Sequence, residues 1–176
     1  MCEHFKADIN RYIKDVNSKE KIYTIFEQGV WAIGVYRFGR WVRTVRIPII
    51  DVILKILAHL FFKLMEIITG ISLPAGADIG AGLYVGHFGY CIVHSHVKMG
   101  TNCSLGPGVI IGTQGVGKEG APVIGDNVYI GSGAKVLGNI KIGSNVKIGA
   151  NSVVINDIAD NCTVVGIPAK VVRTKT

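Results

Sequence analysis

An aliphatic residue recurs every six positions through the second half of this chain, and few folds can use such a rhythm. Ile79 and Val85 open the series; Val93, Met99, Leu105 and Ile111 continue it. Ile124, Ile130, Val136, Ile142, Ile148 and Val154 complete it. Two positions before each stands a small or branched residue: Ala77, Leu83, Cys91, Val97, Cys103, Val109, Pro122, Val128, Ala134, Ile140, Val146 and Ser152. Twelve units in register are far beyond chance. A six-residue unit with one aliphatic turned inward makes a short strand and a tight corner. The glycine that usually follows the aliphatic permits backbone angles or close contact that a larger residue resists. Stacked units bury an aliphatic column, with backbones bonded between coils about 4.8 Å apart.

This pattern resembles the hexapeptide-repeat proteins, which fold as a left-handed parallel β-helix with three hexapeptides to a triangular coil. Handedness is implied by the resemblance alone, since crossovers between parallel strands are usually right-handed. The expected fold is mainly β: a left-handed β-helix over 71–176, preceded by an α-helical segment over 1–70. Composition agrees with that boundary. All but four of the 23 glycines lie from Ile71 onward, while proline totals only 5. Hydrophobic residues make up 49% and charged residues 18%, which excludes a disordered chain.

The rhythm fails twice. Val85 to Val93 is a step of eight, an insertion of two residues that contains His87. Ile111 to Ile124 is a step of thirteen, so 113–122 (TQGVGKEGAP) is expected to leave the coil. A loop in a solenoid costs little packing, so such interruptions suit a functional site.

The first 70 residues read as helices. Phe5 to Val16 fits a short amphipathic helix, Ile22 to Val45 an apolar and aromatic one, and Pro48 the first turn of a third. In that third helix Asp51, Lys55, His59, Lys63 and Glu66 form a narrow polar stripe on an otherwise apolar cylinder. Those charges disfavour a transmembrane span, leaving a helix packed in an oligomer or one lying on a membrane surface. Arg37, Arg40, Arg43 and Arg46 recur every three residues, with no acidic residue between Gln28 and Ile50. They are expected to be a solvated face or a contact for anionic headgroups, which makes 37–66 a candidate for peripheral membrane contact. The N-terminus has no secretory pattern. Four cysteines without CxxC spacing fit structural thiols in a reducing cytoplasm, with the inner face of the membrane as a peripheral alternative. Net charge +7 favours acidic partners in general, but no nucleic-acid motif accompanies it.

The segments GADIGAGLYVGHFGYCIVHSHVKMG, GVIIGTQGVG, PVIGDNVYIGSGAKVLGNIKIGSNVKIGANSVV and VVGIPAKVV are similar to the serine acetyltransferase family. The likeness runs from Ser72 to Val172. It implies a homotrimeric acyltransferase with acetyl-CoA bound between adjacent β-helices, and a catalytic base at His87. The residue chemistry agrees, because an imidazole with a pKa of about 6.5 can take a hydroxyl proton near neutrality. That hydroxyl would attack the thioester directly. The resemblance places acetyl-CoA along Gly112, Thr113, Gly131, Ser132, Ala134, Gly149 and Ala150. Lys135, Lys147 and Lys170 are candidates for its phosphates or for ordinary surface charge. His94 and His96 are expected to line the acceptor pocket or to be simply exposed. The spacing of the three histidines does not match the β-helix carbonic anhydrases, so no metal is expected.

Departures from the family matter as much. Ser72 stands where the family has the aspartate that orients the histidine, so Ser72, counted with the acceptor-binding residues, or a backbone carbonyl is expected to orient the His87 ring; Gly86 stands where another aspartate precedes the histidine. Gly120 and Ala121 stand in place of an Arg-His pair that holds the amino acid. The Arg173-Thr174-Lys175-Thr176 ending lacks the isoleucine that docks into cysteine synthase, so that partner is not expected. These changes keep the acetyl-CoA half of the family pattern and not the serine half. They point to a sugar hydroxyl in polysaccharide biosynthesis as acceptor, with serine as the alternative. A non-catalytic β-helix scaffold is the rival of another class.

Overall fold

The computed structural model describes residues 2–14, 17, 20–115, 117 and 119–174. Helix α1 spans Cys2–Ile13, a 3-10 turn Lys21–Phe26, α2 Gln28–Val42 and α3 Ile50–Thr69. The first coil holds β1 (Ile71–Ser72), β2 (Asp78–Ile79) and β3 (Tyr84–Val85). The second holds β4 (Cys91–Val93), β5 (Lys98–Met99) and β6 (Ser104–Leu105). The third holds β7 (Ile110–Gly112), β8 (Val123–Ile124) and β9 (Tyr129–Ile130). The fourth holds β10 (Lys135–Leu137), β11 (Lys141–Ile142) and β12 (Lys147–Ile148). Then come β13 (Val153–Val154), β14 (Cys162–Gly166) and β15 (Ala169–Thr174), the last folded back antiparallel on β14.

Corresponding strands of successive coils pair in parallel, which makes three sheets: β1-β4-β7-β10-β13, β2-β5-β8-β11 and β3-β6-β9-β12-β14. The register stacks the repeat's aliphatics on one another. Val93, Ile111, Val136 and Val154 form one column. Val85, Leu105, Ile130, Ile148 and Val164 form another. All are buried, and each fully buried aliphatic contributes about 1.5–3 kcal/mol.

Glycine has a narrower job here than the sequence allowed. The glycine after each aliphatic keeps an ordinary negative φ, and the left-handed corner comes two residues later, often at asparagine: Asn102, Asn127, Asn145 and Asn151 have φ between 56 and 60°. At Gly131 the constraint is contact: an added β-carbon would lie 2.7 Å from the Ala150 amide nitrogen of the next coil. Asparagine suits the corner because its short polar side chain tolerates positive φ. Here the Asn127 side chain also donates to Asn145, and Asn145 to Asn161.

The helices close the open end of the β-helix. Strands β2 and β3 lie at that end and have no coil above them, so their backbone groups need other partners. The Tyr36 hydroxyl serves Ala77 O and Ile79 N. Arg37 donates to Ile79 O and Gly80 O, and Asp8 accepts from Leu83 N. Tyr12 serves both backbone groups of Val85. Ala32, Ile33 and Tyr36 of α2 share one core with the coils.

Three expectations for the helical segment are corrected. The run Ile22 to Val45 is not one helix: Glu27 is extended, and α2 starts afresh at Gln28. The break seats Gly29 against β3, where a β-carbon would strike the Val85 carbonyl. Pro48 is not in the first turn of α3, because Ile49 has φ 72° and the helix begins at Ile50. The arginine row is not one exposed face. Arg37 is buried in an ion pair with Asp8, and Arg40 pairs with Asp78. Three-residue spacing shows which residues share a side, not whether the neighbouring β-helix covers it. Helix α1 matches its expected position from Phe5 to Ile13, and Asp15 and Val16 lie outside the described residues.

Candidate active site

The two-residue insertion forms the turn Gly86–Tyr90 between β3 and β4, at the corner joining the third and first sheets. Its ends are tied down. Gly86 N donates to Leu105 O, Gly89 N to Thr69 O, and Tyr90 O accepts from Gly108 N. Between the anchors His87 and Phe88 point to solvent. His87 takes φ 61°, a left-handed conformation uncommon for a non-glycine residue. Among the described residues no hydrogen bond restrains its ring.

Below this turn the corner is built of small residues. Gly106–Gly108 belong to the second coil, Gly131–Ala134 to the third and Gly149–Ala150 to the fourth. Gly131, Ser132, Ala134, Gly149 and Ala150 thus line up beneath His87, while Ala134 itself is fully buried. Lys135 is drawn into the same column. Its ammonium donates to Gly108 O and Gly133 O and lies 5.9 Å from the Tyr90 ring centre. Its charge is therefore spent on backbone carbonyls rather than presented freely. Lys147 and Lys170 are exposed, Lys147 on β12 and Lys170 on the terminal strand β15.

His94, His96, Gly112 and Thr113 belong elsewhere. They occupy the corner joining the first and second sheets, with the first sheet between them and His87. The His94 and His96 rings are 5.1 Å apart, and His96 N donates to His94 Nδ1. No group of three or more metal-binding side chains is placed to hold an ion among the described residues. The extruded loop leaves at Thr113, but Ala121 and Pro122 are already buried in the coil, so it is shorter than 113–122. Val116 and Lys118 of that loop lie outside the described residues. Ala121 turns inward and cannot face an acceptor.

Ser72 is on the outward face of β1, and its hydroxyl donates to Glu66 rather than to His87. Glu66 also accepts from Lys63. Partial burial alone would raise the Glu66 carboxyl; the hydrogen bonds from Lys63 and Ser72 outweigh it and hold it below the usual carboxylate value.

His87 opens into a groove of about 1160 Å3 between the third sheet and the α1 side of the helical segment. Tyr84 and Tyr12 line it, and so do charges of both signs: Arg11 and Lys14 against Glu20 and Glu27. Arg11 is held in place by Gly82 O and the Ser104 hydroxyl. Sequence reasoning missed these groove residues. They come from a segment without a period, and nothing in their spacing links them to His87.

The cysteine thiols offer no competing nucleophile beside His87. Burial pushes Cys91 up to about 12 and Cys103 up to about 11, and Cys162 is buried as well.

The chain is similar in sequence and in fold to known proteins. Residues 121–156 match the bacterial transferase hexapeptide family (six repeats). The serine acetyltransferase of Synechococcus elongatus is 38% identical over 147 residues, covering 82% of this chain and 57% of the relative. The crystal structure of the Neisseria gonorrhoeae serine acetyltransferase superposes with a TM-score of 0.84 at 32% identity, over 99% of this chain and 68% of that one. The Brucella abortus serine acetyltransferase in complex with coenzyme A superposes at 0.83 with 28% identity, over 99% and 68%. The chain therefore spans little more than half the length of the curated relative, and its coils have the left-handed β-helix fold of these neighbours.

Proposed function

The chain belongs to the serine acetyltransferase-like hexapeptide transferases, and we propose that it transfers acetyl from acetyl-CoA to the hydroxyl of serine. The expectation of a sugar acceptor gives way to serine, because the relatives and structural neighbours are named for serine. The observation that carries the reading is His87, held at positive φ in an anchored turn, at the mouth of a groove with both signs of charge. Serine needs a cation for its carboxylate and an anion for its ammonium. Gly120 and Ala121 supply neither, but Arg11 and Lys14, with Glu20 and Glu27, line the same groove as His87 and carry both signs of charge.

The step is a direct displacement. The His87 imidazole takes the serine hydroxyl proton as the oxygen attacks the thioester carbonyl. The tetrahedral intermediate collapses, the C–S bond breaks, and the leaving thiolate recovers the proton from the imidazolium. The high, buried Cys91 and Cys103 thiols support this route over an acyl-enzyme.

The reading includes a homotrimer. The small-residue corner under His87 and the corner bearing Gly112, Thr113, His94 and His96 lie on opposite edges of the first sheet. One acetyl-CoA groove can use both only when a second copy brings its corner to the first.

The test offers the purified protein acetyl-CoA with serine or with simple sugars and follows thiol release. Serine-dependent release supports the reading. Release with sugars and none with serine would return the acceptor to a glycan hydroxyl.

A further inference from the structure

Helix α3 is packed on one side only. Leu54, Ala58, Phe62 and Met65 are half-buried on the side that meets the body of the protein, and α2 is the helix it contacts. The polar stripe Lys55, His59, Lys63 and Glu66 forms a second side. The third side is apolar and open along the whole helix, from Ile50 and Ile53 through Ile56, Leu60 and Leu64 to Ile67. Leu60 is 59% and Ile67 82% exposed. Soluble surfaces seldom leave so long an apolar strip in water. The helix does not meet the length and apolarity needed to cross a membrane.

Charge identifies what covers it. Both carboxylates of α3 are already neutralised, Asp51 by Lys55 and Glu66 by Lys63. With Arg37 and Arg40 turned to the β-helix, Arg43 and Arg46 remain exposed just before α3, without an ion pair among the described residues. They stand beside exposed Trp41, Ile47 and Ile49. A second copy packed in parallel along α3 would bring like charges, Arg43 and Arg46 of each copy, to the same end, whereas a bilayer does not. An anionic lipid surface meets them with opposite charge, and its interface accepts tryptophan and isoleucine side chains.

We propose that the open side of α3 docks on an anionic phospholipid bilayer and lies in its interface, with exposed Arg43 and Arg46 of the preceding segment supplying charge for the headgroups. This contact is independent of acetyl transfer. The test is sedimentation of the whole protein with vesicles of phosphatidylcholine, alone or mixed with phosphatidylglycerol. Wild-type protein is expected to bind the mixed vesicles at low salt and to release as salt rises. Leu60→Glu with Leu64→Glu is expected to weaken binding about tenfold or more with unchanged circular dichroism, because both side chains already face water. Arg43→Glu with Arg46→Glu is expected to remove the preference for anionic vesicles. Failure of the wild-type protein to bind mixed vesicles at low salt overturns the proposal. So does undiminished binding by the leucine variant. Light scattering that shows the leucine variant breaking an oligomer, while wild type ignores vesicles, overturns it in favour of a second copy.

Discussion

The hydroxyl of Tyr12 accepts from the amide of Val85 and donates to the carbonyl of the same residue, at 3.0 and 2.9 Å. One side chain of α1 thereby satisfies both backbone groups of the edge strand that leads, two residues on, to His87. Burial pushes the Tyr12 hydroxyl up from its ordinary value, so it stays protonated and able to donate. Tyr12→Phe strands a buried donor and acceptor, and is expected to cost about 1–3 kcal/mol in urea unfolding. Amide exchange at Gly86 and His87 is expected to quicken in that variant, whereas an effect on global stability alone would quicken the whole β-helix equally.

Asp8 and Arg37 form the one buried ion pair among the described residues, with side chains 1% and 5% exposed. Arg37 also binds two carbonyls, and Asp8 one amide, of the first coil. Removing one partner leaves a buried charge uncompensated, so Asp8→Ala is expected to destabilise by about 3–5 kcal/mol. The double variant Asp8→Leu with Arg37→Met is expected to lose less than the two single changes combined, measured by a double-mutant cycle in urea.

The β-helix was legible because its signal is local and repeated. Each inward aliphatic, from Ile79 to Val154, announces its place by a six-residue step, and the failure of that step exposed the turn of His87. The closure of its open end was not legible. Asp8 reaches Leu83 across 75 residues and Tyr36 reaches Ala77 across 41, with no periodicity connecting them. The arginines show the same limit: their spacing was visible, but the surface above Arg37 was not. Ser72 was legible as a missing aspartate, while its partner Glu66 belongs to a different element.

Acid should reveal that partner. Glu66 titrates below its ordinary value of 4.5 in the folded chain. A depressed carboxyl contributes stability that is fully present above the unfolded value and is lost as pH falls through the folded one. Thermal unfolding should therefore show wild type losing stability below pH 4.5 more steeply than Glu66→Gln. Equal slopes would show that Lys63 and Ser72 contribute nothing through this group.

Of the four cysteines only Cys2 is exposed. A disulfide-exchange reagent at mildly alkaline pH is expected to titrate one thiol in the folded protein and four after denaturation. Fast reaction of Cys91 or Cys103 in the folded state would contradict their burial and raised thiol values.

His87, as the proposed base, takes the proton from the acceptor hydroxyl. The direct measurement is serine-dependent release of the coenzyme A thiol by wild type and by His87→Ala, with acetyl-CoA binding measured in parallel by calorimetry. The expected result is a loss of turnover of about 10²–10⁴-fold in the variant with acetyl-CoA affinity retained. Near-normal turnover by His87→Ala would rule His87 out as the base.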